Sequence, residues 1–143
     1  MDYELIHDIT RADIAVRVKG LSPDDLFVRA GRALISEMTE DISSINRDVY
    51  IDGELRTTEL DMLFIEFLNE IVFYKDSRSL LLLPETVHIT CDSGTYLCRY
   101  SLSGEKINRD KHEFRVDIKA VTLHGLRLYR EGDSYIAETV FDV

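Results

Sequence analysis

Of the 27 acidic residues in this 143-residue chain, two are less easily dismissed than the rest as merely solvated. Asp13 lies between Ala12 and Ile14, where an entering turn becomes a strand, and Asp142 is wedged between Phe141 and Val143 at the end of the sequence. A segment as apolar as Tyr135 to Phe141 predicts a paired strand and not a frayed tail. Such order would hold the α-carboxylate of Val143 beside the Asp142 side chain, and hard divalent cations such as calcium or magnesium take several oxygens of this kind. An ordinary polar C-terminus is the competing reading. The other carboxylates are read as solvated: Asp24, Asp25 and Glu40 belong to helix ends, and Asp61, Glu66 and Glu70 fall off the apolar stripe of a helix.

Other chemistry finds less footing. His7, His88, His112 and His124 form no His-x-x-x-His pair and none adjoins a cysteine, so they read as surface or hydrogen-bonded histidines and not as zinc ligands. No Gly-rich phosphate loop or nucleophile elbow is present, which leaves covalent catalysis without a candidate. Cys91 and Cys98 flank a turn at Asp92-Ser93-Gly94, where a bridge would close too short a loop to stabilise much, so both are expected as free thiols in a reducing compartment. The net charge of −10 disfavours tight binding to nucleic acid, which depends on Lys and Arg neutralising phosphates. The acidic N-terminus and the absence of a long apolar run predict neither a signal peptide nor a membrane span, hence a cytoplasmic protein.

These residues need a scaffold, and the pattern supplies one. Ile14, Val16 and Val18 alternate in the period of a half-buried strand that Gly20 ends. Ser22 can cap a helix, Pro23 suits its first turn, and Asp24 and Asp25 favour its positive end; apolar residues at helical spacing carry it to about Thr39. Val49 to Ile51 reads as a strand before a turn at Asp52-Gly53. A second helix shows its stripe at Leu60, Leu63, Phe64, Phe67, Leu68 and Ile71, after an apparent capping box of Thr58 and Asp61. The rest reads as strand and turn: Leu80 to Leu83, Val87 to Cys91, Tyr96 to Leu102, Phe114 to Val121, Leu126 to Tyr129 and Tyr135 to Phe141. The expected fold is α+β, a two-layer sandwich in which a mostly antiparallel sheet packs against two α-helices, all within one domain spanning 1–143.

The chain also resembles the archease family. The resemblance rests on Asp8-Ile9-Thr10-Arg11-Ala12-Asp13-Ile14-Ala15, on Phe67-Leu68-Asn69-Glu70, on Arg109-Asp110-Lys111-His112, on Ile118-Lys119-Ala120-Val121-Thr122-Leu123-His124, and on the ending Val140-Phe141-Asp142-Val143. These segments occur in the family's order and spacing over nearly the whole chain. The family's Trp and Tyr are replaced by Phe67 and Leu123. The histidine that many members carry before their Thr-Ala-Asp motif has no counterpart here, and His7 cannot be given its role. The resemblance implies an accessory protein of an RtcB-type RNA ligase, which promotes guanylylation of the ligase's active-site histidine and repeated turnover in tRNA splicing and RNA repair. It implies divalent-cation ligands at Asp13, Asp142 and Val143, with calcium first and magnesium or manganese as alternatives. Lys119 would then pair with the carboxylates or reach ligase or nucleotide, and His124, His112 and Glu70 are further candidates for partner contact.

Two other functions compete. One is a chaperone-like modulator of a tRNA-modifying methyltransferase, which some family members are linked to and which would be indifferent to Asp13. The other is a metal-dependent hydrolase, for which Glu70 or His124 would have to supply the general base. The expectation is a protein that is not itself an enzyme.

Overall fold

Asp13, Ala15, Arg17 and Lys19 alternate with apolar Ile14, Val16 and Val18, and this period of two builds the strand that organises the functional end of the molecule. In the structure, a computed structural model that describes residues 3–6 and 13–143, that strand is β2 (Asp13–Gly20), preceded by β1 (Tyr3–Ile6). The chain continues through α1 (Pro23–Met38), a 3-10 turn (Ile42–Ser44), β3 (Val49–Thr57), α2 (Leu60–Arg78), β4 (Leu80–Asp92), β5 (Thr95–Lys106), β6 (Ala120–Glu131) and β7 (Ser134–Asp142). His7 and the Asp8-to-Ala12 part of the N-terminal motif lie outside the described residues. The strands form two antiparallel sheets, in the orders β1-β2-β7-β6 and β3-β5-β4. The α+β architecture of two helices on antiparallel strands therefore holds, with the strands divided between two sheets.

The helices hold the sheets together. Helix α1 starts as its sequence demands, with the Ser22 hydroxyl oxygen accepting from the Asp25 N–H at 3.1 Å and Pro23 in the first turn. It packs against β2 and β7 of one sheet and β4 of the other, while α2 packs on β6 as well as on β3, β4 and β5. Where the helices meet, Phe27 lies with its ring centroid 5.3 Å from that of Phe64 and 5.5 Å from that of Phe67. All three rings are fully buried, worth roughly 2–3 kcal/mol each in area removed from water. No helix among the described residues is long and apolar enough to cross a membrane.

Three details differ from the sequence expectation. Asp52-Gly53 is not a turn: β3 runs straight through it, and Gly53 is needed because a Cβ there would lie 2.2 Å from the Tyr100 ring of β5. Leu80 to Leu83 and Val87 to Cys91 form a single strand, β4, whose register shifts between Pro84 and Thr86 because proline has no N–H to give the ladder. Phe114 to Val121 is not a strand before Ala120. It makes one isolated bridge, Thr39 to Phe114; its start is bonded to the end of α1, with Arg115 N–H to Met38 O at 2.8 Å and the preceding Glu113 O accepting from the Glu40 N–H at 2.9 Å, and its end to β7 through Lys119 N–H.

Candidate metal centre

Side chains on one face of a strand are alternate residues, so Asp13, Ala15, Arg17 and Lys19 share the face of β2 turned away from Val16 and Val18 of the core. Antiparallel register sets their partners on β7: Asp13 opposes Asp142, Ala15 opposes Val140, and Arg17 opposes Glu138. Directly opposed side chains in such a pair stand about 5 Å apart at Cβ. The first pair thus places two half-exposed carboxylates side by side at the end of the sheet, next to Val143. The Asp142 carbonyl accepts from the Lys119 N–H at 2.8 Å, and Ala120 is the partner of Asp142 on β6, so the exposed Lys119 emerges at the same edge.

The edge is fixed from below by a side chain that imitates a strand. Among the described residues β6 is the outer strand of its sheet, with no strand beyond it to take its peptide groups. Asn69 on α2 supplies both partners for one residue: its amide nitrogen donates to Val121 O at 2.8 Å, and its oxygen accepts from Val121 N–H at 2.9 Å. Val121 opposes the fully buried Phe141, so this clamp sets the position of the residue next to Asp142. The Phe-Leu-Asn-Glu segment carries this residue, although spacing alone gave Asn69 no role.

The loop leading to Lys119 is tied down at three points. Glu105 accepts from Lys111 at 2.7 Å and from the Asn46 N–H at 3.0 Å, and lies 2.9 Å from His112 Nε2. His112 Nδ1 accepts from the Asn108 N–H at 2.9 Å, which leaves Nε2 as the protonated nitrogen facing the carboxylate. Burial pushes the Glu105 carboxyl upward, but the bonds from Lys111, Asn46 and His112 outweigh it and bring it down to about 2. Arg115 donates to the Ser36 and Thr39 carbonyls, and the buried Lys75 ammonium of α2 bonds Asp76 and, at 2.7 Å, Asp117.

Asp13, Asp142, Val143 and Lys119 therefore come together, and two other candidates do not join them. His112 is 3% exposed and serves as a clip within the loop because its partner, Glu105, lies on β5. Glu70 lies on α2 and acts on Tyr100, whose hydroxyl is pushed upward by burial first and by the Glu70 charge second. His124 is exposed in an irregular stretch of β6 between Thr122 and Arg127, where Gly125, at φ +76°, folds back over Val140. Among the described residues no three His, Cys, Asp or Glu side chains converge on a point that could hold a metal ion. Any cation at this edge must complete its shell of oxygens from the main chain or from water.

The chain matches the model of the Archease protein family over residues 3–143. It is 30% identical to the archease of Pyrococcus furiosus over 133 residues, covering 92% of this chain and 93% of that one. It is also 30% identical to the archease of Methanopyrus kandleri over 132 residues, covering 92% and 94%. In fold it is similar to the solution structure of Methanobacterium thermoautotrophicum protein 1598, with a TM-score of 0.85, 25% identity and 99% of each chain covered.

Proposed function

Because the chain belongs to the archease protein family, we propose that it is a non-catalytic accessory protein that activates an RtcB-type RNA ligase, promoting guanylylation of the ligase's active-site histidine and repeated turnover. The observation that carries this reading is the register of β2 against β7, which sets Asp13 directly opposite Asp142 beside the exposed Lys119. Two carboxylates set opposite one another on neighbouring strands offer oxygens from both strands to one hard cation.

The donors present are all oxygens, which suits a hard divalent cation. Asp13, Asp142 and a main-chain oxygen of Val143 would hold it, with calcium as the first expectation. Bound there, such an ion would supply positive charge against the oxygens of a nucleotide or of a carboxylate on the partner. The chain's own residues do the rest: the clamp by Asn69 keeps the edge in place, and the exposed Lys119, whose backbone N–H bonds the Asp142 carbonyl, lies next to it in the chain fold. With a net charge of −10 the chain is suited to touching a protein partner and poorly suited to holding RNA by itself.

The test is formation of the guanylylated ligase from labelled GTP, with this chain present at less than one equivalent. Wild-type chain should raise the rate and extent of adduct formation, and Asp13→Ala and Asp142→Asn should not. No acceleration by the wild type would refute the reading. Undiminished acceleration by both variants would favour the chaperone-like role toward RNA-modifying enzymes such as a tRNA methyltransferase.

A further inference from the structure

Most of the arginines and lysines in contact with the body of the protein are engaged by carboxylates or carbonyls. Arg32 is an exception. It lies half-buried on α1, and among the described residues its guanidinium has neither a hydrogen bond nor an ion pair. It borders two hollows on either side of Ile42 in the 3-10 turn: one of about 470 Å³ toward β4 and one of about 280 Å³ toward Tyr3 and Arg115.

The acidic groups around it are already committed. Asp41 accepts from the backbone and hydroxyl of Ser43, Glu40 lies 3.7 Å from Arg115, and Glu85 is shared between Arg47 at 2.7 Å and the Ser103 hydroxyl. The larger hollow thus contains two guanidiniums, Arg32 and Arg47, against the one carboxylate of Glu85, in a chain that is otherwise strongly acidic. Its walls combine apolar Ile45, Leu83 and Pro84 with neutral polar Ser43 and Asn46. Its volume lies within the range of small-ligand sites, which are mostly apolar with a few convergent polar groups.

A guanidinium keeps its charge throughout the accessible pH range, and its planar fork of donors matches the paired oxygens of a carboxylate or phosphate. We infer that the hollow between the 3-10 turn and β4 is a binding site for a small oxyanion, a carboxylate or a phosphate, held by Arg32 with Arg47 beside it. The site is separate from the Asp13–Asp142 edge and independent of the function proposed there.

The experiment is a titration of the full chain with inorganic phosphate and, in a second arm, with acetate, following backbone amide shifts by NMR. Saturable shifts confined to Ile42–Arg47 and its surroundings are expected, and the tighter of the two probes identifies the source of the oxyanion. Arg32→Gln should weaken that binding at least tenfold. Glu85→Gln, which removes the competing carboxylate, should tighten it several-fold, a change that a folding defect cannot produce. No saturable shift with either probe, equal affinity in Arg32→Gln, or no tightening in Glu85→Gln would overturn the inference.

Discussion

Strands β2 and β7 pair from Asp13–Asp142 to Gly20–Tyr135, and two positions along that pairing handle charge in opposite ways. In the middle, Arg17 and Glu138 oppose one another and extend into a ladder of alternating sign that crosses all four strands of the sheet. Glu4 of β1 meets Arg17 at 3.1 Å, Arg17 meets Glu138 at 3.0 Å, and Glu138 meets Arg127 of β6 at 3.2 Å. The Tyr129 hydroxyl adds a bond to Glu138 at 2.9 Å. At the end of the same strands, Asp13 and Asp142 put two negative charges together. The ladder supports the fold and specifies register. The sheet pairs opposite charges across its middle and sets two carboxylates opposite one another at one edge, and that edge is the candidate site.

Three changes sharpen this contrast, and the largest concerns what both positions share. Phe141 is fully buried next to Asp142, so Phe141→Ala should cost about 3–5 kcal/mol and weaken ladder and edge together. Denaturant unfolding followed by circular dichroism measures this, and a loss under 1 kcal/mol would mean that β7 is not anchored from the core side. Asn69→Ala strips two partly buried bonds from Val121 and should cost about 1–3 kcal/mol. Its mark in hydrogen exchange should be confined to β6 near Val121, with the Arg17 region protected as before.

The smallest effect belongs to the ladder. Burial pushes the Glu138 carboxyl upward, but the bonds from Arg17 and Tyr129 and the charges of Arg17 and Arg127 outweigh it and hold it below its ordinary value of 4.5. A carboxyl depressed in the folded state contributes stability that is present above pH 4.5 and is lost as pH falls through the lower folded value. Because Arg17 is partly and Arg127 largely solvent-exposed, Glu138→Gln should cost only about 0.5–1 kcal/mol at neutral pH, less in high salt, and nothing once the pH is below the folded value. A cost that persisted unchanged at pH 2 would mean that packing, and not charge, gives Glu138 its value.

The helices were legible because their signals are local. The cap Ser22, Pro23 and the apolar stripe of α2 all lie within a few turns of the residues they affect. Asp13 and Asp142 stood out singly, but their pairing is a fact of register between strands from opposite ends of the chain, which no local pattern reveals. The same limit explains the segment from Phe114 to Val121. Its apolar residues alternate like a strand's, yet its hydrogen bonds go to the end of α1 through Arg115, to Lys75 of α2 through Asp117 and to Asp142 of β7 through Lys119. His112 was a candidate for partner contact because nothing in its own segment shows Glu105 closing over it, and the capping box at Thr58 failed because Glu59 became the cap, with no side-chain bond.

The most direct test of the edge as a cation site is a calorimetric calcium titration of the wild type, Asp142→Asn and Glu138→Gln side by side, with the unfolding free energy of each metal-free protein. Removing one unit of negative charge at contact distance in a partly exposed site is worth on the order of 1–4 kcal/mol, or roughly tenfold to several hundredfold in affinity. The prediction is that Asp142→Asn loses calcium affinity by that factor while the metal-free protein is as stable as wild type or more so by about 0.2–1 kcal/mol, and that Glu138→Gln does the reverse, losing stability and keeping calcium. Equal calcium affinity in wild type and Asp142→Asn, or a metal-free Asp142→Asn protein that is clearly less stable, would contradict it.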